Sequence, residues 1–226
     1  MADNMLGLQP QPKPVYSYAT GHTHQLHLKT PLKDPEEYVE WVQIIRGATP
    51  NDRIELHLNT PGGDIYAAIE LLHAFATTEA HIHVVCSGIV ASAGTVLMTV
   101  GDSFEINPHT TFMFHNYSGG TMGKGNEMAI KIEYERQWSQ KFMHDIYEGL
   151  LTAEEINDLL DGRDYWLSAD DVSDRLEAMV EARYKKLEEL QEEMQKALEE
   201  ALEEASEPEE KPKRKRGRPR KVKTDE

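Results

Sequence analysis

Val84-Val85-Cys86-Ser87-Gly88-Ile89-Val90-Ala91-Ser92-Ala93-Gly94-Thr95-Val96-Leu97-Met98-Thr99-Val100 is the stretch on which the fold turns. Its uncharged length approaches what is needed to cross ~30 Å of hydrocarbon. Cys86-Ser87-Gly88 breaks the run in its middle, Ser92 and Gly94 follow, and His83 and Asp102 bound it. A buried strand, a turn and a buried helix explain that pattern better than a membrane span. The reading is a strand over residues 82–86 and a helix over 92–100, with a serine among small residues between them.

Outward from this centre, strands and helices alternate. Upstream, His24, Leu26 and Leu28 alternate with polar residues in a strand near 23–29. Asp34-Pro35 reads as a cap and first helical proline for a helix that Gly47 ends. A strand over 54–58 leads through Thr60-Pro61-Gly62-Gly63-Asp64 into a helix over 65–77 with Ile69, Leu71, Leu72 and Phe75 on its apolar face. Downstream come strands over 103–106 and 111–115, a glycine-rich stretch, and a long helix over 126–150. Thr152 and Glu155 have capping-box spacing, and Ser168 with Asp171 nearly repeats it. Such alternation specifies an α/β domain with helix-covered sheet.

The chain's two ends differ from this body. Residues 1–16 are polar and contain Pro10, Pro12 and Pro14, so a poorly ordered lead-in is expected. Over 176–206 Val180, Leu187, Met194 and Ala201 recur every seven residues, with Leu190 and Ala197 in a second seam and Glu or Lys at most other places, as in a helix seeking a partner. Residues 207–226 read as a disordered basic tail. The 15 basic and 38 acidic residues of 1–210 leave a charge of −23, whereas 211–226 carry +7. That split excludes a nucleic-acid-binding body and confines any polyanion contact to the tail. One cysteine, Cys86, excludes a disulfide framework and a cysteine zinc site. The first ten residues carry no basic cluster and little apolar length, so a cytoplasmic protein is expected.

Three short segments carry chemistry. The Thr60–Asp64 turn can bring backbone N–H groups close to a ligand, or it can be a tight turn with nothing bound. Ser92 stands where a nucleophile would have an oxyanion-binding helix start beside it, and equally where a serine would cap a helix. His115 ends an apolar strand, where it can take a proton from a serine or sit as a satisfied core histidine. Asp164 could orient that imidazole, with Arg163 offering an ion pair instead.

Together these segments resemble the proteolytic subunit of the Clp protease over about residues 50–175. The likeness rests on Thr-Pro-Gly-Gly, Ala-Ser-Ala-Gly, Met-Phe-His-Asn and Arg-Asp-Tyr-Trp-Leu-Ser-Ala-Asp-Asp, in the family's order, with Ser92, His115 and Asp164 separated by 23 and 49 residues. The resemblance implies a ClpP/crotonase-like α/β fold of repeated strand-strand-helix units over 17–175. It assigns Ser92 as nucleophile, His115 as general base, Asp164 as its orienter, and the N–H groups of Gly63 and Ala93 as oxyanion hole. Substrate strands would pair with Asp64 and Ile65 on one side and Tyr117, Ser118 and Gly119 on the other. No cofactor or metal is implied. The helix over 126–150 would be the handle joining two stacked rings of seven subunits, around a chamber for unfolded or captive proteins.

Residues 1–22 do not resemble the family's axial-loop segment, which bears on docking of an AAA+ unfoldase. The acidic helix and basic tail look like the scaffold-like extensions of ClpP-related head maturation proteases of tailed phages. Arg216-Gly217-Arg218-Pro219 resembles an AT-hook core. A·T-rich DNA, an acidic capsid or scaffold surface, and solvent alone are three readings of that tail. Competing functions are a crotonase-type acyl-CoA enzyme, a serine–lysine peptidase, and a non-catalytic scaffold or DNA-binding protein. His22, His24 and His27 read as a solvated strand edge rather than a metal site, because His27 faces away from the other two. The aromatic and methionine positions of 138–147 read as handle packing rather than a cofactor site.

Overall fold

Ile54, Leu56, Leu58 and Thr60 are buried while Arg53, Glu55, His57 and Asn59 between them are not, the period-two signature of a strand with one face in the core. This strand organises the computed structural model, which describes residues 20–206. The elements run β1 (Thr23–Leu28), a 3-10 turn (Pro35–Tyr38), α1 (Val39–Gly47), β2 (Arg53–Thr60), α2 (Ile65–Phe75), β3 (His81–Ala91), α3 (Ala93–Met98), β4 (Ser103–Ile106), β5 (Thr111–Phe114), α4 (Gly125–Tyr147), α5 (Ala153–Leu160), β6 (Tyr165–Leu167) and α6 (Ala169–Ser206). The lead-in 1–16 and the basic tail 207–226, with Arg216, Gly217, Arg218 and Pro219, lie outside the described residues.

β1, β2 and β3 pair in parallel, Leu26 beside Leu56 and Leu56 beside Val84. On its other edge β3 forks. Its first half pairs with β4, Val84 beside Phe104, and its second half with β5, Val90 beside Phe112, both parallel. β6 closes this edge antiparallel to β5. The α/β expectation therefore holds.

The forking corrects one expectation. Cys86-Ser87-Gly88 does not end the strand: β3 runs on to Ala91. Gly88 takes φ +67 there, and a Cβ on it would lie 2.7 Å from Asn59 Oδ1. That amide oxygen instead accepts the Ile89 N–H at 3.2 Å, so the backbone bends over β2 and re-pairs with β5. A second correction concerns Asp34, whose side chain makes no cap; Pro35–Tyr38 is a 3-10 turn and α1 starts at Val39. The two later capping motifs are present. Thr152 and Glu155 form a reciprocal box, and Ser168 Oγ donates to Asp171 Oδ2 at 2.6 Å while accepting the Asp171 N–H at 3.2 Å.

The core lies where α1, α2 and α3 cover one face of the sheet. Ile45, Ile54, Leu56, Leu58, Leu71, Leu97, Met98, Phe112 and Phe114 are almost wholly enclosed. Each contributes about 1.5–3 kcal/mol from removal of its apolar surface from water. Cys86 is among the enclosed residues, and burial pushes its thiol up to about 12. Asp52 holds the turn into β2, accepting N–H groups of His22 (2.6 Å) and Thr49 (2.7 Å) and the Thr49 hydroxyl (2.7 Å), which keep its carboxyl far below the usual carboxylate range.

Two compact units divide between Ala182 and Arg183. The first holds the sheet and its helices. The second contains the end of α6, whose described side chains are all exposed. Among the described residues no helix is long and apolar enough to cross a membrane.

Candidate active site

Parallel pairing brings the C-terminal ends of β2, β3 and β5 to one edge, since Thr60 pairs with Val90 and Ala91 with Met113. The residues that leave these strands are the Thr60–Asp64 turn, Ser92 and His115. This is where open parallel sheets generally place ligands.

Ser92 links β3 to α3 with φ 55 and ψ −129. A serine in that region costs on the order of 1–3 kcal/mol, so its surroundings must hold it. They do so with three hydrogen bonds. The Ser92 N–H donates to Met113 O (2.8 Å), and its carbonyl accepts the Thr95 N–H (2.9 Å) and the Thr95 hydroxyl (2.7 Å). Thr95 Oγ1 has a further partner in Tyr147 Oη at 2.7 Å. The Ser92 side chain makes no helix cap. Its Oγ lies instead 2.6 Å from His115 Nε2. Both side chains are half-buried.

The Thr60–Asp64 turn is fixed against the segment before α1. Leu32 N–H donates to Gly62 O at 2.8 Å and Asp64 N–H to Leu32 O at 3.0 Å. The intervening Gly63 lines the same cavity as Ser92 and His115. Gly63 has φ +143, and a Cβ on it would lie 2.2 Å from Leu32 O. Asp64 caps α2 by accepting the Ala67 N–H at 2.8 Å. Ala93 is the first residue of α3, so its N–H has no acceptor within the helix. Gly63 and Ala93 both line the cavity beside Ser92.

The cavity has a volume of about 510 Å³ and takes in Gly63, Asp64, Ile65, Ser92, Ala93, His115, Tyr117, Ser118 and Gly119. All these were singled out from the sequence. What the sequence reading missed is the opposite wall, where Lys131, Glu135, Trp138 and Phe142 of α4 line the same space. Their spacing of four, three and four residues puts them on one helical face, a signal that was available. The residues assigned to handle packing do both jobs: Trp138 stacks on Phe142 at 5.0 Å between ring centroids while facing the cavity.

α4 also holds the segment after His115. Asn116 Oδ1 accepts the Ser139 hydroxyl at 2.6 Å and the Tyr117 N–H at 2.8 Å. The Tyr117 ring meets Trp138 edge-on at 5.8 Å, and its hydroxyl donates to Glu135 at 3.3 Å. Burial and the Glu135 charge raise the Tyr117 phenol above its usual range, so it stays a donor.

Asp164 is exposed and makes no hydrogen bond to His115. Its place is nevertheless set by register. Phe112 pairs with Leu167, Met113 with Trp166 and Phe114 with Tyr165, so the next step of the ladder faces His115 with Asp164. Arg163 pairs with Asp158 Oδ2 at 2.8 Å, so the ion pair considered for Asp164 is made elsewhere. Of the three N-terminal histidines, His22 Nδ1 lies 3.3 Å from Asp52 Oδ1 and His27 stacks on His57 at 4.4 Å, and among the described residues no three potential metal ligands come together.

The chain is similar to known proteins. The chain is 27% identical over 151 residues to the ATP-dependent Clp protease proteolytic subunit 1 of Salinibacter ruber, covering 64% of each chain. It is 26% identical over 133 residues to the ATP-dependent Clp protease proteolytic subunits of Bacteroides fragilis and Bacteroides thetaiotaomicron, over 55% of this chain and 61% and 58% of theirs. The matched stretch thus spans about three-fifths of the length of these curated relatives. The Clp protease family profile matches residues 25–175, from within β1 to the beginning of α6, taking in Ser92, His115, Asp164 and strands β2 to β6; the chain belongs to the Clp protease family.

Proposed function

We propose that the chain is a serine endopeptidase, and the observation that carries this reading is Ser92 Oγ at 2.6 Å from His115 Nε2 on a strained strand-to-helix turn. Ser92 attacks the peptide carbonyl as His115 takes its proton. The N–H groups of Gly63 and Ala93 receive the oxyanion, where such donors typically contribute about 2.7–4 kcal/mol. Collapse expels the amine, which takes the proton back from His115. A water then repeats the attack through His115 and frees the acid and Ser92.

Asp164 orients His115 in this reading, supported by the ladder register that sets the two residues opposite each other. An extended substrate lies between the Asp64–Ile65 edge and the Tyr117–Gly119 segment, with the aromatic wall of α4 beside it. Unfolded or captive proteins suit so narrow a cleft. The chain works as a homo-oligomer of stacked seven-membered rings with α4 as handle. Ile130, Ile132 and Tyr134, at 57–69% exposure, give that helix apolar surface for such contacts.

Labelling with a fluorophosphonate probe, followed by hydrolysis of an unstructured protein, tests the reading. Wild type should label at Ser92 and cleave; Ser92→Ala should do neither while retaining its particle mass. Cleavage by Ser92→Ala at a comparable rate would overturn it.

A further inference from the structure

The second unit presents a face that the peptidase does not use. Along α6 from Arg183 to Ser206, Tyr184, Leu187, Leu190, Met194, Leu198 and Leu202 are 47–73% exposed. At 100° per residue they fall in one sector of the helix, joined by the alanines that the sequence has at 197 and 201. In heptad terms, with Tyr184 and Leu198 at a, Leu187 and Met194 fall at d. Leu190 and Leu202 flank that seam, Gln191 stands at the a position between Tyr184 and Leu198, and glutamate or lysine fills most of the rest. Most helical stability in proteins comes from packing of an apolar face, which this segment lacks within the described residues. Its last turn holds no basic residue to offset the negative end of the helix dipole.

Charge and side-chain size together choose the occupant of this face. The sequence begins the segment with Arg183, Lys185 and Lys186 and ends it with Glu199, Glu200, Glu203 and Glu204. Parallel pairing with a second copy would set four glutamates against four and three cations against three. It would also put Tyr184 against Tyr184. Antiparallel pairing about a two-fold axis, with a against d, places Leu187 opposite Leu198 and Gln191 opposite Met194. It brings the cationic start of one copy to the acidic end of the other, where the dipole is uncompensated.

We propose that residues 183–206 are a self-association element that pairs antiparallel with the same segment of a second copy of this chain. The contact lies outside the family-matched residues 25–175 and is separate from the peptidase reading.

Full-length Leu187→Cys and Leu198→Cys chains test this with a short bismaleimide cross-linker, each alone and as a mixture. Leu187 and Leu198 lie about 16.5 Å apart along one helix. The antiparallel pair therefore cross-links only in the mixture, as a heterodimer of the two variants. Cross-linking of either variant with itself, or no cross-linking in any sample, would overturn the proposal. Buried Cys86 is protected from the reagent, and the wild-type chain controls for it. In a second measurement, Leu187→Glu with Met194→Glu and Leu198→Glu should lower particle mass in mass photometry. The near-ultraviolet circular dichroism of Trp41, Trp138 and Trp166, all in the first unit, should stay unchanged. An unaltered particle mass in this variant would also refute the pairing.

Discussion

Beneath Ser92 lies a buried hydroxyl pair whose proton arrangement can be worked out. Thr95 has one hydroxyl proton and gives it to Ser92 O at 2.7 Å. The 2.7 Å contact between Thr95 Oγ1 and Tyr147 Oη must then be donated by the tyrosine. Tyr147 is 1% exposed, and burial pushes its phenol up to about 12, so the donor is protonated at any working pH. Tyr147→Phe removes the donor but leaves Thr95 still bonded to Ser92, at a cost of about 0.5–1.5 kcal/mol. Thr95→Val costs more, because it strands the tyrosine hydroxyl in the core, about 1–3 kcal/mol, and leaves the Ser92 carbonyl with only the backbone N–H of residue 95. The double variant strands no hydroxyl and should recover on the order of 1 kcal/mol relative to the sum. Thermal unfolding at fixed protein concentration would show this, at about 2–4 °C per kcal/mol for a chain of this size. Peptide hydrolysis should fall in Thr95→Val and its double, where Ser92 loses a restraint, and less in Tyr147→Phe. Strict additivity, or a larger loss from Tyr147→Phe than from Thr95→Val, would refute the proton assignment.

The other expectations are simpler. Gly63→Ala should abolish hydrolysis and lower the unfolding midpoint, since a Cβ there would lie 2.2 Å from Leu32 O; an active, equally stable variant in the same assays would exclude a close turn. Asp164→Asn should lower kcat by orders of magnitude with little change in KM, read from steady-state kinetics on a short peptide. Arg175 hydrogen bonds hold the Glu155 carboxyl at about 2, below its unfolded value. The stabilisation is therefore complete above roughly pH 4.5 and lost as pH falls toward 2. Urea titrations should show Arg175→Gln less stable than wild type at pH 6 and equal to it near pH 2. If residues 207–226 bind A·T-rich duplex, affinity should fall steeply with salt, and deleting them should remove it while leaving peptide hydrolysis intact.

Legibility in the sequence followed the physical range of each signal. Ser92, His115 and the Gly62-Gly63 turn were readable because each sits where a short apolar strand meets small or polar residues, a pattern contained within a few neighbours. Capping at Thr152 and Ser168 was readable for the same reason. The continuation of β3 past Gly88 was not, since it depends on an amide from Asn59 and on pairing with β5, both remote in the chain. The cavity wall on α4 fell between these cases. Its helical face was visible, but only folding shows that the same face both packs and lines the site.

Asp164 shows how far a short motif reaches without a contact. Its motif and order in the chain identified it, and β5–β6 pairing sets it opposite His115, yet its carboxylate makes no bond to the imidazole. The strand pair that must carry it is only three residues long, and Trp166 in its middle is 60% exposed. Tyr165 and Leu167 on either side of it pack against the core but are only partly buried, in contrast to the enclosed leucines and isoleucines of β2 and β3. Ser92 and His115 leave strands whose inward side chains are enclosed and meet at hydrogen-bond distance, whereas Asp164 precedes a strand with no fully enclosed side chain. If Asp164 orients His115 as proposed, the packing of β6 decides how firmly its carboxylate can be held to the imidazole.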